Sequence, residues 1–399
     1  MYNETAYTLG SQRSCIRELF EYGRQRAAVV GAENVLDFSL GNPSMPCPQA
    51  VTDAIRDIVE NTDPVALHGY TPAVGDLSCR QAIADDLNAR FDAGARPQDF
   101  FIICGAAPGL TAVFKALSVP GAEILALAPF FPEYRPFVES AGCKFRVVPA
   151  TAPKLKINVL ALEQQLTPNT VAVIINNPNN PTGIVTKEKI LRPLAQMLKR
   201  KSEEYGHPIY IISDEPYREL VYGEAEFVWL PALYDNTIVC YSYSKSLSLP
   251  GERIGYVYVP EKATDHDALY AAIAGAARSL GHVCAPSLWQ KVIAKCASVR
   301  PDLEYYDRNR KLLFYTLAVM GYELARPEGA FYIFVRIPGN DPQAFLEQAK
   351  AKDLLLVPGD DFGCPGYFRM CYCVEYEKVK KSLPIFGALY RDAVSGVRV

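Results

Sequence analysis

Five short segments of this chain carry groups able to bind anions or do covalent or acid–base chemistry. Ser242-Tyr243-Ser244-Lys245 follows the apolar run Ile238 to Tyr241, and Pro250-Gly251-Glu252-Arg253 comes soon after it. A lysine amine just past a strand end can attack or hold a carbonyl carbon if burial keeps part of it neutral. Ser213-Asp214-Glu215-Pro216-Tyr217 also follows an apolar run, so a carboxylate and a phenol emerge together from a second strand end. Asn176-Asn177-Pro178-Asn179-Asn180-Pro181-Thr182-Gly183 holds two Asn-Pro steps and a glycine. That composition dictates a tight irregular loop, whose amides can donate to an anionic oxygen. Cys104-Gly105-Ala106-Ala107-Pro108-Gly109 joins a strand to a helical stretch. Its small residues leave backbone N–H groups open at a helix N-terminus, a ready anion site, but it is neither a dinucleotide nor a Walker loop. Taken singly, each segment has an ordinary structural use: a surface lysine, a capping aspartate, a loop.

The elements that must position these groups follow from hydrophobic periodicity. Short Val- and Ile-rich runs alternate with longer helical segments from about Asp99 to Val259, the pattern of an α/β fold with a mainly parallel sheet. Seven strands are expected: Phe100 to Cys104, Ile124 to Ala128, Lys144 to Val148, Val171 to Asn176, Ile209 to Ser213, Ile238 to Tyr241 and Ile254 to Val259. Ligands of such sheets sit beyond the carboxyl ends of the strands. After about Ser298 the texture changes to a long charged helix, Asp302 to Met320, then strand-like Phe331 to Ile337, a helix near Asp341 to Lys352, and strands Leu354 to Val357 and Phe368 to Val374. At 399 residues the chain exceeds what one core usually supports. The expected division is a large domain, 46–298, and a small α+β domain formed by an N-terminal arm, 1–45, with 299–399.

In order and spacing these segments resemble class I aminotransferases of the aspartate-aminotransferase type, the fold-type I enzymes that use pyridoxal 5'-phosphate (PLP), from about Asp37 to about Val374. The resemblance implies that Lys245 holds PLP as a Schiff base and that Asp214 pairs the pyridine nitrogen, keeping the ring an electron sink. It implies that Asn180 and Tyr217 contact the ring hydroxyl and that Phe131 stacks on the ring. Ser242, Arg253 and the backbone of Ala106 and Ala107 grip the phosphate. Arg369 and the backbone of Gly41, with Asn180, take the substrate carboxylate, a task suited to a planar guanidinium fork. Tyr70 reaches the phosphate of a neighbouring subunit, which implies a homodimer with shared sites. The implied reaction moves the amino group of an L-amino acid to a 2-oxo acid, 2-oxoglutarate, by a ping-pong mechanism. Relatives that use aspartate can carry Lys where this chain has Ala107, and Arg278 is only loosely placed for that task. The donor side chain is therefore left open.

Composition narrows the alternatives. With 41 basic against 44 acidic residues there is no dense cationic block for nucleic acid. No run of eighteen apolar residues and no basic-then-apolar leader suggests a membrane or secretion. The odd count of eleven scattered cysteines reads as reduced thiols in a cytoplasm. Cys371 and Cys373 alternate as strand residues rather than as half of a zinc site, and no metal is expected. A β-eliminating C–S lyase of the same fold would keep Lys245, Asp214 and Arg253. A non-catalytic PLP-binding regulator would need a DNA-binding segment before Asp37, where too few residues remain.

Overall fold

The computed structural model describes residues 1–11 and 15–395. Its strands, in chain order, are β1 (Leu36–Asp37), β2 (Phe100–Ile103), β3 (Glu123–Leu127), β4 (Lys144–Val148), β5 (Thr170–Asn176), β6 (Tyr210–Asp214), β7 (Thr237–Ser242), β8 (Gly255–Tyr258), β9 (Tyr332–Arg336), β10 (Leu354–Leu355), β11 (Val357–Pro358) and β12 (Tyr367–Cys371). Seven of them, β2 to β8, form one sheet in the order β2-β8-β7-β6-β5-β3-β4. Each expected strand of the large sheet is present to within a residue or two. Strand β8 alone runs against the others, antiparallel to both β7 and β2. A hydrophobic run carries no direction, so this reversal was not readable from periodicity.

Both faces of the sheet are buried, which is why its strands are apolar without alternation. One face packs Ile174, Ile212, Cys240 and Val257 against the helices Ala106–Ala116 and His266–Ser279. On the other face Val173, Ile175 and Ile211 meet the helix Glu188–Tyr205. There Val239 and Tyr256 meet the helices Leu77–Phe91 and Ser287–Cys296. The long helix pairing is therefore fixed by strand alternation, successive side chains pointing to opposite faces.

A second core surrounds the antiparallel sheet β11-β12-β9, backed by the helices Glu304–Met320 and Tyr376–Ser395. Strand β1 pairs in parallel with β10, and Phe38 O accepts from Cys371 N at 2.8 Å. The segment just after β1 is thereby laid across the end of β12. The carboxyl ends of β5, β6 and β7, at Asn176, Asp214 and Ser242, lie side by side in the large sheet and open toward that segment.

A buried ion pair stiffens this edge. Glu215 takes hydrogen bonds from Arg218 Nε at 2.7 Å and from Ser213 Oγ at 2.6 Å, and Arg218 also donates to the Tyr256 hydroxyl at 3.0 Å. Arg218 further stacks its guanidinium over Tyr241 at 4.3 Å. With its charge paired and hydrogen-bonded, the turn that follows Asp214 has little freedom.

Candidate active site

Where the strand ends meet the β1 segment there is a cleft of about 270 Å³. Lys245, Asp214, Tyr217, Asn180, Ser242, Arg253, Ala106, Ala107, Phe131, Arg369 and Gly41 all line it. The family resemblance assigned these residues from segments up to several hundred positions apart, and the fold brings all of them to one space. Tyr70 is the exception: it is 99 % exposed and lies outside the cleft. Arg278 is exposed on the helix His266–Ser279 and does not line the cleft either.

One end of the cleft is built for an anion. Gly105, at φ +99°, turns the chain from β2 into the helix that begins at Ala106. A Cβ on Gly105 would sit 2.7 Å from Arg253 Nη2, so glycine lets the guanidinium approach the helix N-terminus. Arg253 itself has φ 53°, a conformation a non-glycine residue adopts only when its surroundings compel it. Its Nη1 lies 3.4 Å from Ser244 Oγ, and the hydroxyls of Ser242 and Ser244 are 2.6 Å apart. Open N–H groups, two hydroxyls and a guanidinium make a phosphate cradle.

At the centre stands Asp214, 4 % exposed. Its Oδ2 accepts from the Tyr134 hydroxyl at 2.5 Å and from Asn176 Nδ2 at 3.3 Å, while its buried Oδ1 has no partner. Burial pushes the Asp214 carboxyl up to about 7; the Tyr134 hydrogen bond opposes this, and Glu215 adds repulsion. An isolated carboxyl in such a place asks for a buried cationic donor.

This has a consequence for stability. The unfolded chain releases the Asp214 proton near pH 3.9, whereas the folded apoprotein holds it to about 7. Between those values the folded state binds more protons, so the stability due to this group falls as pH rises through the window and levels off above it. Thermal unfolding of apoprotein and apo Asp214→Asn isolates the effect. The difference between them is expected to shrink by up to about 4 kcal/mol from pH 4 to 7, and a flat difference would contradict the unpaired carboxyl.

Lys245 Nζ donates to Gly41 O at 2.7 Å and lies 5.6 Å from the Phe331 ring centroid. Burial lowers its pKa, the nearby thiols of Cys373 and Cys371 oppose the shift, and Arg253 and Arg369 reinforce it. The amine is thus biased toward the neutral, nucleophilic form.

Arg369 occupies the middle strand β12, 2 % exposed. It donates to Asn180 Oδ1 at 3.1 Å and to Ser39 O, and its Nε is buried without a partner. No carboxylate pairs with it among the described residues. A buried guanidinium left without an anion is costly, and a carboxylate entering the cleft would relieve that cost. The Asn180 oxygen faces Arg369, which turns its NH2 group away to serve another acceptor.

Four lining or supporting residues were not singled out from the sequence. Tyr134 orients Asp214, Asn176 ties β5 to Asp214 O at 2.9 Å, and Tyr332 places its hydroxyl 2.7 Å from that of Tyr217. Ile16, from the helix Cys15–Val30, also lines the cleft. Tyr332 lies in the strand-like run Phe331 to Ile337 and Asn176 opens the Asn-Pro loop, but nothing in the neighbourhood of Tyr134 or Tyr332 marks them.

The family model for aminotransferase class I and II matches residues 33–383. The chain belongs to this family. Aminotransferases are PLP enzymes, and PLP is the cofactor of this one. The chain is similar to an aminotransferase from Eubacterium rectale of solved structure, at 50 % identity over 98 % of this chain and 99 % of that one, with a TM-score of 0.96. It is 29 % identical to a probable N-acetyl-LL-diaminopimelate aminotransferase of Bacillus subtilis, covering 88 % of each chain. It is 28 % identical to an aspartate aminotransferase of Thermotoga maritima, covering 90 % of this chain and 92 % of that protein. The fold is accordingly the fold-type I architecture of PLP-dependent transferases.

The cleft of this aminotransferase fits PLP on three independent features: an anion cradle at one end, the orphaned Asp214 Oδ1 at the centre, and a buried amine lining the same space. Lys245, Arg253 and Arg369 are the cations of the cleft among the described residues. Among the described residues no further cation lines it for a distal substrate carboxylate. Among the described residues no helix is long and apolar enough to cross a membrane.

Proposed function

We propose that this aminotransferase moves the amino group of an L-amino acid to 2-oxoglutarate in two half-reactions, donor product leaving before acceptor binds. One observation carries the reading: Lys245 Nζ, the unpartnered Asp214 Oδ1 and the unpaired Arg369 guanidinium line the same cleft. When bound, PLP supplies an electron sink that stabilises negative charge at a substrate α-carbon. In this reading Asp214 faces the pyridine nitrogen and keeps it protonated. Ser242, Arg253 and the N–H groups of Ala106 and Ala107 hold the phosphate. Phe131 covers one ring face, and Tyr217 and Asn180 donate to the ring oxygen. Arg369 takes the α-carboxylate with Gly41 beside it, and the Lys245 amine, once free, moves a proton to and from the α-carbon.

Arg369→Lys tests the clamp: a point charge cannot replace a fork, so the donor KM is expected to rise by about 10²-fold, with a smaller change in kcat. An unchanged KM would remove Arg369 from the carboxylate site.

The division into domains 46–298 and 1–45 with 299–399 belongs to the same reading, with the two hydrophobic cores as its support. So do a cytoplasmic location and a homodimer in which Tyr70, a large exposed aromatic, reaches the partner's phosphate cradle. Steady-state kinetics with a donor panel against 2-oxoglutarate, oxaloacetate and pyruvate tests the function. Parallel double-reciprocal lines with 2-oxoglutarate preferred are expected. Converging lines or another preferred acceptor would overturn the corresponding part, and pyruvate with ammonia from a cysteine-type substrate would make the protein a lyase.

A further inference from the structure

Tyr332 touches three parts of the cleft at once. Its hydroxyl is 2.7 Å from that of Tyr217, with the two rings nearly perpendicular at 83°. The Arg369 guanidinium carbon lies 4.8 Å from its ring centroid. Gly41 makes room for it, since a Cβ there would stand 2.3 Å from the Tyr332 oxygen. We propose that Tyr332 is a positioning residue for amino transfer: its hydroxyl donates to Tyr217 and turns the Tyr217 proton toward the cofactor, while its ring holds Arg369 ready for the substrate carboxylate. This rests on the reading of the cleft given above.

The direction of the hydrogen bond follows from the cation. A guanidinium over a phenol ring withdraws charge and makes that O–H the better donor, and each phenol has one proton to give. With Tyr332 donating, the Tyr217 proton is free for an acceptor in the cleft, and two O–H groups in series strengthen one another. The charged and titratable groups that act most strongly on the Tyr332 phenol are Tyr217, Cys371 and Arg369. Tyr332 therefore links the two ends of the substrate site, the carboxylate clamp and the ring oxygen.

The test uses the PLP-loaded enzyme and two variants. Tyr332→Phe keeps the ring and loses the hydroxyl; Tyr332→Leu loses both. Weaker donation from Tyr217 leaves the ring-oxygen anion less stabilised, so the proton it shares is held to higher pH. The pH midpoint of the resting visible band is expected to rise by about half a unit or more in both variants. In Tyr332→Phe kcat should fall about five- to tenfold with KM within about twofold, whereas in Tyr332→Leu KM should also rise about tenfold. An unchanged midpoint in Tyr332→Phe would overturn the proposal, whatever happens to kcat. An unchanged KM in Tyr332→Leu would overturn the part concerning Arg369. If the parent enzyme showed no titrating band at all, the reading of the cleft itself would fall first.

Discussion

Lys245→Ala is expected to lower turnover by at least about 10⁴-fold, the upper range for a positioned acid–base group, because the same amine also carries the cofactor. Among the described residues it is the one lysine that lines the cleft. It emerges one turn past β7, at the buried edge where desolvation lowers its pKa. Removing it should not unfold the protein, since its hydrogen bond goes to the Gly41 carbonyl and not to a core group. A stability change within about 1 kcal/mol is expected. Single-turnover kinetics on a donor amino acid, with thermal unfolding alongside, separates the two effects. A variant that folds and still turns over within about tenfold of the parent would remove Lys245 from the chemistry.

The second large effect belongs to Asp214→Asn. The amide preserves shape and can keep the Tyr134 contact, but it carries no charge to hold a pyridine nitrogen protonated. Breaking a buried charge pair by neutralising one partner typically costs about 3–5 kcal/mol, and kcat/KM is expected to fall by about 10²- to 10⁴-fold with weaker cofactor retention. The orphaned Oδ1 makes the prediction specific. Were that oxygen already satisfied within the protein, neutralising it would cost mostly stability. Loss of stability with kcat/KM unchanged would therefore contradict its role.

Much of this was legible in the chain. The parallel strands announced themselves as Val- and Ile-rich runs because both sheet faces are buried, and Asp214 and Ser242 fall at strand ends because an apolar run must stop where the cleft begins. Lys245 was readable as a candidate from the same boundary, whereas the role expected of Arg253 came from the family resemblance. What stayed hidden depends on contacts remote in sequence. Tyr134 matters because its hydroxyl meets Asp214, 80 residues away, and Tyr332 because it meets Tyr217, 115 residues away. A tyrosine in an apolar segment looks the same whether or not such a partner exists. Ile16 was unreadable for a similar reason: its helix reaches the cleft through partners remote in sequence, Ile16 and Leu19 packing against the Phe334, Val357 and Phe362 core and Arg26 pairing with Asp353.

The measurement closest to the central claim is one half-reaction: PLP-loaded enzyme mixed with a single L-amino acid donor and no acceptor, products counted per subunit. Transamination at this cleft predicts one equivalent of the matching 2-oxo acid per subunit, loss of the resting visible band and no ammonia. Continuous release of ammonia with the 2-oxo acid would contradict it and assign the cleft to elimination.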